Sequence, residues 1–208
     1  MFKIGFIIVS AYLLGSIPTS VWLGRIIKGV DLRDSGSGNA GATNAFRVLG
    51  KTIGSLVLLL DMLKGFLAVS LVHLQSTFAP GTETWMILKI CLGLVAVLGH
   101  IFPVFAGFRG GKGVATITGV ALGLHPFGAL AAIGIYLLVF LLTRISALGS
   151  LIAVLTYPVW IILVFRADYL TVRIFSLVVL VLVLITHRSN ILRLMRGEEK
   201  SLFRKGGD

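Results

Sequence analysis

Six long stretches of the chain are apolar nearly all round: residues 4–23, 53–74, 85–105, 127–143, 145–165 and 170–186. Each approaches the length at which a helix crosses hydrocarbon, about 20 residues. Helical periodicity adds little, because no polar face interrupts them. A seventh apolar segment, residues 114–124, is short for a span. It carries "GVALG", Gly119 to Gly123, a small-xxx-small spacing suited to close helix contact. The pattern predicts an all-α bundle of seven transmembrane helices, one of them short.

Composition agrees. Hydrophobic residues make up 57% of the 208, and only 13% are charged, where soluble domains carry about 25%. The chain reads as an integral membrane protein of one domain, residues 1–208, with no second domain, low-complexity tract or internal repeat. No cleavable signal peptide is expected, since Lys3 is a weak n-region and the first apolar run is long enough to be a span. The sole cysteine, Cys91, excludes an intrachain disulfide and is expected as small core filler.

Charge sets the orientation. Nineteen Lys and Arg oppose eight Asp and Glu, a formal +11. In a soluble protein that balance would raise nucleic acid as a partner. Here most cations fall in short loops between apolar runs, so topology and anionic lipid account for them, and no nucleic acid is expected. If the short segment crosses, the loop with Arg25, Lys28, Arg33, Arg47 and Lys51 shares a side with Arg109 and Lys112. The tail with Arg188, Arg193, Arg196, Lys200, Arg204 and Lys205 then lies there too. The positive-inside rule thus predicts an outside N-terminus and a cytoplasmic C-terminus, with Arg166 and Arg173 as exceptions. Trp85 and Tyr169 are expected at the outer interface and Trp22 at the inner one, with His73 and His125 also on the outer side.

In that topology three polar clusters share the cytoplasmic side. The first is "DLRDSGSGNAGATNAFRVLG", Asp31 to Gly50. Its Gly, Ser, Asn and Thr suit turns and caps, but it is longer than a connection needs, and such positions can aim backbone N–H groups at an anion. The second is "GHIFPVFAGFRGGKG", from Gly99 to Gly113. Glycines around Lys112, just before a helix, suit a phosphate. It is not a Walker A loop: Ala106 stands where Gly is needed, and Gly113 where Ser or Thr is needed. The third is "THRSNILRLMRGEE", Thr186 to Glu199. An interfacial amphipathic helix explains Arg193 and Arg196, but not His187 and Asn190, which share a face at i, i+3.

Two further features have plain structural readings. Asp61 and Lys64, at i, i+3 within a span, are expected to pair with each other and face the bundle interior as a structural pair, without touching the site. Ser146 taken alone is a helix cap. His100 is expected as a buried, hydrogen-bonded histidine, and no Cys, His or carboxylate spacing suggests a metal.

Together "SGSGNAGATNAFR", "GHIFPVFAGFRGGKGVAT" and "HRSNILRLMRGEE" resemble the three signature motifs of the bacterial membrane glycerol-3-phosphate acyltransferases that use acyl phosphate, the PlsY family. The resemblance covers essentially the whole chain, in motif order. It implies transfer of an acyl group from acyl phosphate to the 1-hydroxyl of sn-glycerol 3-phosphate, giving lysophosphatidic acid and phosphate. It implies no cofactor and no metal, a multi-pass protein of the bacterial inner membrane with a cytoplasmic active site, and membrane lipid as surroundings. A monomer is expected, although Gly119 and Gly123 suit contacts within one chain or between chains. The His-x4-Asp motif of the unrelated thioester-dependent acyltransferases is absent: Phe105 and Leu192 stand where Asp would follow His100 and His187.

Carried over motif by motif, the resemblance assigns Ser37, Asn39, Thr43, Arg47, His187 and Asn190 to a polar pocket, with Arg47 on the glycerol phosphate. Gly110, Gly111, Lys112 and Gly113 would hold the acyl-phosphate headgroup through backbone donors and one ammonium, and Ser146 would complete the pocket. Lys112, His187, Asn190 and Ser37 are the expected catalytic set. Whether His187 takes the hydroxyl proton, or orients the substrate while acyl phosphate takes it, stays open. The alternative class is a carrier or binder of phosphorylated solutes, which also uses glycine-broken helices near the membrane. Against it stand the clustering of polar residues at one face and the lack of an inverted repeat.

Overall fold

The computed structural model describes residues 2–202; Arg204 and Lys205 of the basic tail lie outside the described residues. The chain is helical throughout its apolar stretches. Helices α1 (Phe2–Ser16) and α2 (Thr19–Lys28) form one bent span. The break falls at Pro18, which lacks the N–H a continuous helix would use. Then come α3 (Ala42–Leu49), α4 (Lys51–Ser70), α5 (Glu83–Ile101), α6 (Val114–Leu124), α7 (Pro126–Thr143), α8 (Ser146–Val159), α9 (Leu170–Thr186) and α10 (Arg188–Met195).

By length and apolar composition the described residues hold five candidate spans, or six if the bent pair α9–α10, angled at 65°, counts as one. Helix α6, of 11 residues, is shorter. Local signals set the ends. The Thr82 hydroxyl accepts from the Trp85 N–H at 3.3 Å and opens α5. His125 Nδ1 accepts from the Gly128 N–H at 3.1 Å, and Pro126 takes the first turn of α7, where its missing donor costs nothing. In α8, Pro158 loosens the ladder, and a π-helical turn follows over Trp160–Val164.

The glycines of "GVALG" work within the chain. A side chain at Gly119 would strike the Met62 carbonyl of α4, and one at Gly123 would strike Val69. Small residues here let α4 and α6 approach at backbone distance.

One expectation about an inward face fails. Cys91 is exposed on α5 and fills no core. Trp85 is buried, with the His73 ring edge-on at 5.4 Å and the Lys89 ammonium 5.0 Å from its centroid. Helices that are apolar on every face carry no moment to mark which side packs. Tyr169 anchors a loop instead, its hydroxyl donating to the Gly81 carbonyl at 2.9 Å.

Candidate active site

The three polar clusters meet at one end of the bundle. The first loop is organised by Asn44, a residue the sequence reading passed over. Its amide donates to the carbonyls of Leu32 and Ser35, both at 2.9 Å, and its oxygen accepts from the Ser37 N–H at 2.8 Å. With Leu32 fully buried beneath, the loop cannot collapse into the cavity, and Ser37, Asn39 and Thr43 stay on its wall. Arg33 ties this loop to the glycine-rich one: it holds Asp31 through two nitrogens and donates to the Ala106 carbonyl at 2.6 Å. That pairing keeps the Asp31 carboxyl well below its usual range.

The glycine-rich loop corrects an expectation. The N–H groups of Gly110 and Gly111 donate to the Ile101 and His100 carbonyls at 3.1 and 3.2 Å, so they are spent inside the fold. Lys112 and Gly113 line the cavity, while Gly110 and Gly111 do not. Their lack of side chains serves close packing: a Cβ on Gly111 would run into the His100 ring, and one on Gly110 into the His100 carbonyl. Sequence alone does not separate a glycine that offers its N–H to a ligand from one that makes room for a neighbour.

Lys112 donates to the Asn190 side-chain oxygen, and the Asn190 amide donates to Glu199 at 2.8 Å. Glu199 also accepts from Arg193 Nε at 2.7 Å. Burial lowers the Lys112 ammonium to about 8, opposed by the Glu199 charge and assisted by Arg193 and Arg47. Burial also lowers the Arg47 guanidinium, which donates to the Lys200 carbonyl at 3.0 Å. Residues 199–202 are therefore folded back over the pocket, and the Leu202 N–H is fixed to the Arg144 carbonyl at 2.8 Å.

His187 sits just past α9, at the bend into α10, buried beside Asn190. Its Nδ1 lies 3.1 Å from the Val183 carbonyl, which can only accept, so Nδ1 carries the proton and Nε2 is left as an acceptor. Burial first, then the Lys112 charge, lowers the imidazole to about 4, so it is neutral at pH 7. Across the cavity Ser146 does more than start α8. Its hydroxyl is 3.1 Å from both the Thr43 hydroxyl and the Tyr136 hydroxyl, joining α3, α7 and α8.

Below this end lies the buried ionic group. Asp61 and Lys64 pair at 2.9 Å as expected. Asp61 also accepts from the Thr19 hydroxyl at 2.7 Å, and Lys64 donates to the Ile17 carbonyl at 2.9 Å, at the α1–α2 break. Asp61 and His100 reach the cavity wall as well, and His100 is buried with Nδ1 3.7 Å from Asp61. Sequence placed Asp61 inside the bundle, but had no means to show that the cavity touches it.

Ser37, Asn39, Thr43, Arg47, Asp61, Lys112, Gly113, Ser146, His187 and Asn190 line one continuous cavity of about 400 Å³. One end holds Arg47, Lys112 and Arg193 against Glu199. The other runs between α6, α7, α8 and α9 past Ile133, Leu137 and Val154 to Tyr157. A site cationic at one end and apolar at the other, set among membrane-length helices, marks an integral membrane protein with an anion-binding pocket.

The comparisons with known proteins agree. The family model described as glycerol-3-phosphate acyltransferase matches residues 5–197. The chain belongs to that family, the PlsY family. It is 42% identical to the glycerol-3-phosphate acyltransferase of Chlorobaculum tepidum, over 94% of this chain and 95% of that one. It is 41% identical to that of Chlorobium phaeobacteroides, over 96% of both. Two solved structures of PlsY (YgiH), an integral membrane glycerol 3-phosphate acyltransferase, are similar throughout. The glycerol 3-phosphate form superposes with a TM-score of 0.84 at 40% identity, covering 98% of this chain and 96% of that one. The lysophosphatidic acid form gives 0.82 at 39% identity, covering 95% and 94%.

Proposed function

We propose that this protein transfers an acyl group from acyl phosphate to the 1-hydroxyl of sn-glycerol 3-phosphate, releasing lysophosphatidic acid and inorganic phosphate, the first acylation of phospholipid synthesis. The observation that carries the reading is the single cavity with a cationic end and an apolar end. Three cations there, Arg47, Lys112 and Arg193, face one carboxylate, Glu199, leaving two positive charges for a phosphate dianion. The buried Asp61–Lys64 pair adds none.

Acyl phosphate is a mixed anhydride with a good leaving group, so catalysis is mainly alignment and charge stabilisation. The glycerol hydroxyl oxygen attacks the acyl carbon, the bond from that carbon to the phosphate oxygen breaks, and the hydroxyl proton ends on the departing phosphate. Arg47 grips the glycerol phosphate with two parallel hydrogen bonds. Lys112 and the Gly113 N–H receive the leaving phosphate, with Asn190 fixing the ammonium. His187 Nε2 accepts from the attacking hydroxyl and orients it; an imidazole near 4 is too weak a base to keep the proton. Ser37, Asn39, Thr43 and Ser146 supply the remaining polar contacts.

The acyl chain lies between α6, α7, α8 and α9. From Ser146 to Tyr157 along α8 is about 16 Å at 1.5 Å per residue. Beyond Tyr157 the core closes with Leu124 and Ile161, both buried.

The protein works as a single-domain monomer in the bacterial inner membrane. In this reading α1–α2 together and α4 to α9 singly make seven spans, with the N-terminus outside and the active site and C-terminus in the cytoplasm. The deciding experiment gives purified protein labelled glycerol 3-phosphate and, separately, palmitoyl phosphate, palmitoyl-CoA and palmitoyl acyl carrier protein. Labelled lysophosphatidic acid from palmitoyl phosphate alone is expected. Product from a thioester would overturn the donor, and no product with labelled flux across vesicles would make the protein a carrier.

A further inference from the structure

The two cations of "FRGGKG" part company in the fold. Lys112 lines the cavity described above, whereas Arg109 lines a second concavity of about 330 Å³ with Arg25, Arg33, Trp22 and Phe105. Arg33 on its wall pairs with Asp31 at 2.7 Å, and Arg25 reaches the same carboxylate at 2.9 Å. Two guanidinium groups thus hold one carboxylate, and Arg109 adds a third cation to the same concavity. Among the described residues the Arg109 guanidinium has no hydrogen-bond partner.

The surroundings are those of a membrane–water boundary. The Trp22 and Phe105 rings pack at 6.3 Å between centroids, and both remain about half exposed. Next to them Ile26, Phe102 and Phe108 present apolar surface outward. Phe108 holds a left-handed backbone at φ 59°, unusual for a residue with a bulky side chain, one position before Arg109. Exposed aromatic and aliphatic groups beside cations at a span end are the setting for a lipid headgroup. A free phosphate would gain nothing from that apolar rim.

We propose that Arg25, Arg109 and the Trp22–Phe105 pair form a binding site for the phosphate of an anionic membrane phospholipid, separate from the catalytic cavity. The headgroup phosphate meets Arg25 and Arg109, and its glycerol backbone and upper chains lie over the two rings. The occupant is a structural or regulatory lipid, because the glycine-rich loop lies between this site and the active one.

The test uses Trp22 as reporter, in a chain carrying Trp85→Phe and Trp160→Phe, reconstituted in phosphatidylcholine bilayers. A small fraction of brominated phosphatidylglycerol or brominated phosphatidylcholine is added as quencher. Trp22 should be quenched by the anionic lipid at an about 25-fold lower mole fraction, and Arg25→Gln with Arg109→Gln should abolish that preference, each arginine contributing about fivefold. Equal quenching by both lipids in the parent would overturn the proposal, as would a preference that survives in the double variant. Loss of the preference on adding inorganic phosphate, at constant ionic strength, would overturn it in favour of a soluble-anion site. Native mass spectrometry of the wild-type chain and its Arg109→Gln variant, both with all three tryptophans, gives an independent readout. Phosphatidylglycerol retained by the wild type should fall about fivefold in the variant, and equal retention would overturn the site.

Discussion

The Lys112 ammonium is hydrogen-bonded to the side-chain oxygen of Asn190, 78 residues away in sequence. This bond joins the glycine-rich loop to the short helix α10 and fixes the one ammonium in the cavity beside His187. With burial holding that ammonium near 8, the protonated form that binds phosphate is present below this pH and lost above it. In the free enzyme kcat/KM for acyl phosphate should therefore fall as pH rises through about 8, as measured by initial rates with labelled glycerol 3-phosphate. Lys112→Ala should cost about 10²–10³-fold at pH 7 and remove this limb.

Arg47→Lys keeps the charge but loses the planar fork. The expected result is a KM for glycerol 3-phosphate raised by about 10- to 100-fold, the worth of one charge-assisted hydrogen bond, with kcat changed far less. Steady-state kinetics at saturating acyl phosphate separates the two constants. An equal loss in both would move Arg47 from substrate grip to transition-state contact.

For His187 the pH profile is informative on the acid side. A group near 4 is protonated only well below neutrality, so the acceptor at Nε2 survives down to about that pH and no limb appears near 6.5. His187→Gln, which keeps an acceptor, should retain activity within about tenfold, whereas loss of a general base would cost about 10²–10⁴-fold. Both come from one series of rates between pH 4 and 8.

Tyr157 closes the apolar end of the cavity, and its hydroxyl is buried with no partner among the described residues. Tyr157→Ala should deepen the slot and move the preferred donor to longer acyl phosphates, read by competition between chain lengths. Tyr157→Phe should leave the preference in place. A preference indifferent to Tyr157→Ala would place the limit elsewhere.

The Asp61–Lys64 pair predicts an asymmetry. Lys64→Met alone leaves a buried, unpaired carboxylate and should destabilise the protein by about 3–5 kcal/mol, seen as a lower thermal midpoint in detergent. Adding Asp61→Leu to it should recover much of that loss, because the apolar pair needs no solvation.

Hydropathy alone made the helices legible: residues 114–124 and 170–186 are helical over the spans expected, and Asp61 and Lys64 pair as their spacing implied. The three clusters do meet, and Ser37, Asn39, Thr43, Arg47, Lys112, Gly113, Ser146, His187 and Asn190 all line the cavity. What stayed hidden depends on direction, not on identity. Cys91 and Trp85 lie on helices without a polar face, so nothing marked their orientation. Gly110 and Gly111 looked like phosphate donors because a glycine beside Lys112 has the same letter whether its N–H points in or out. Asn44, Tyr136 and Glu199 act through partners that only the folded chain brings within reach.

Residues 199–202, folded over the pocket, bring oxygens to its cations. Glu199 stands among Lys112, Arg193 and Arg47, and the Lys200 carbonyl occupies Arg47. An arriving phosphate therefore exchanges with oxygens already in position. Without them, three converging cations would repel one another across a half-buried cavity, and the cradle would open between turnovers. With them, part of that positive charge is offset by oxygens that the chain itself supplies.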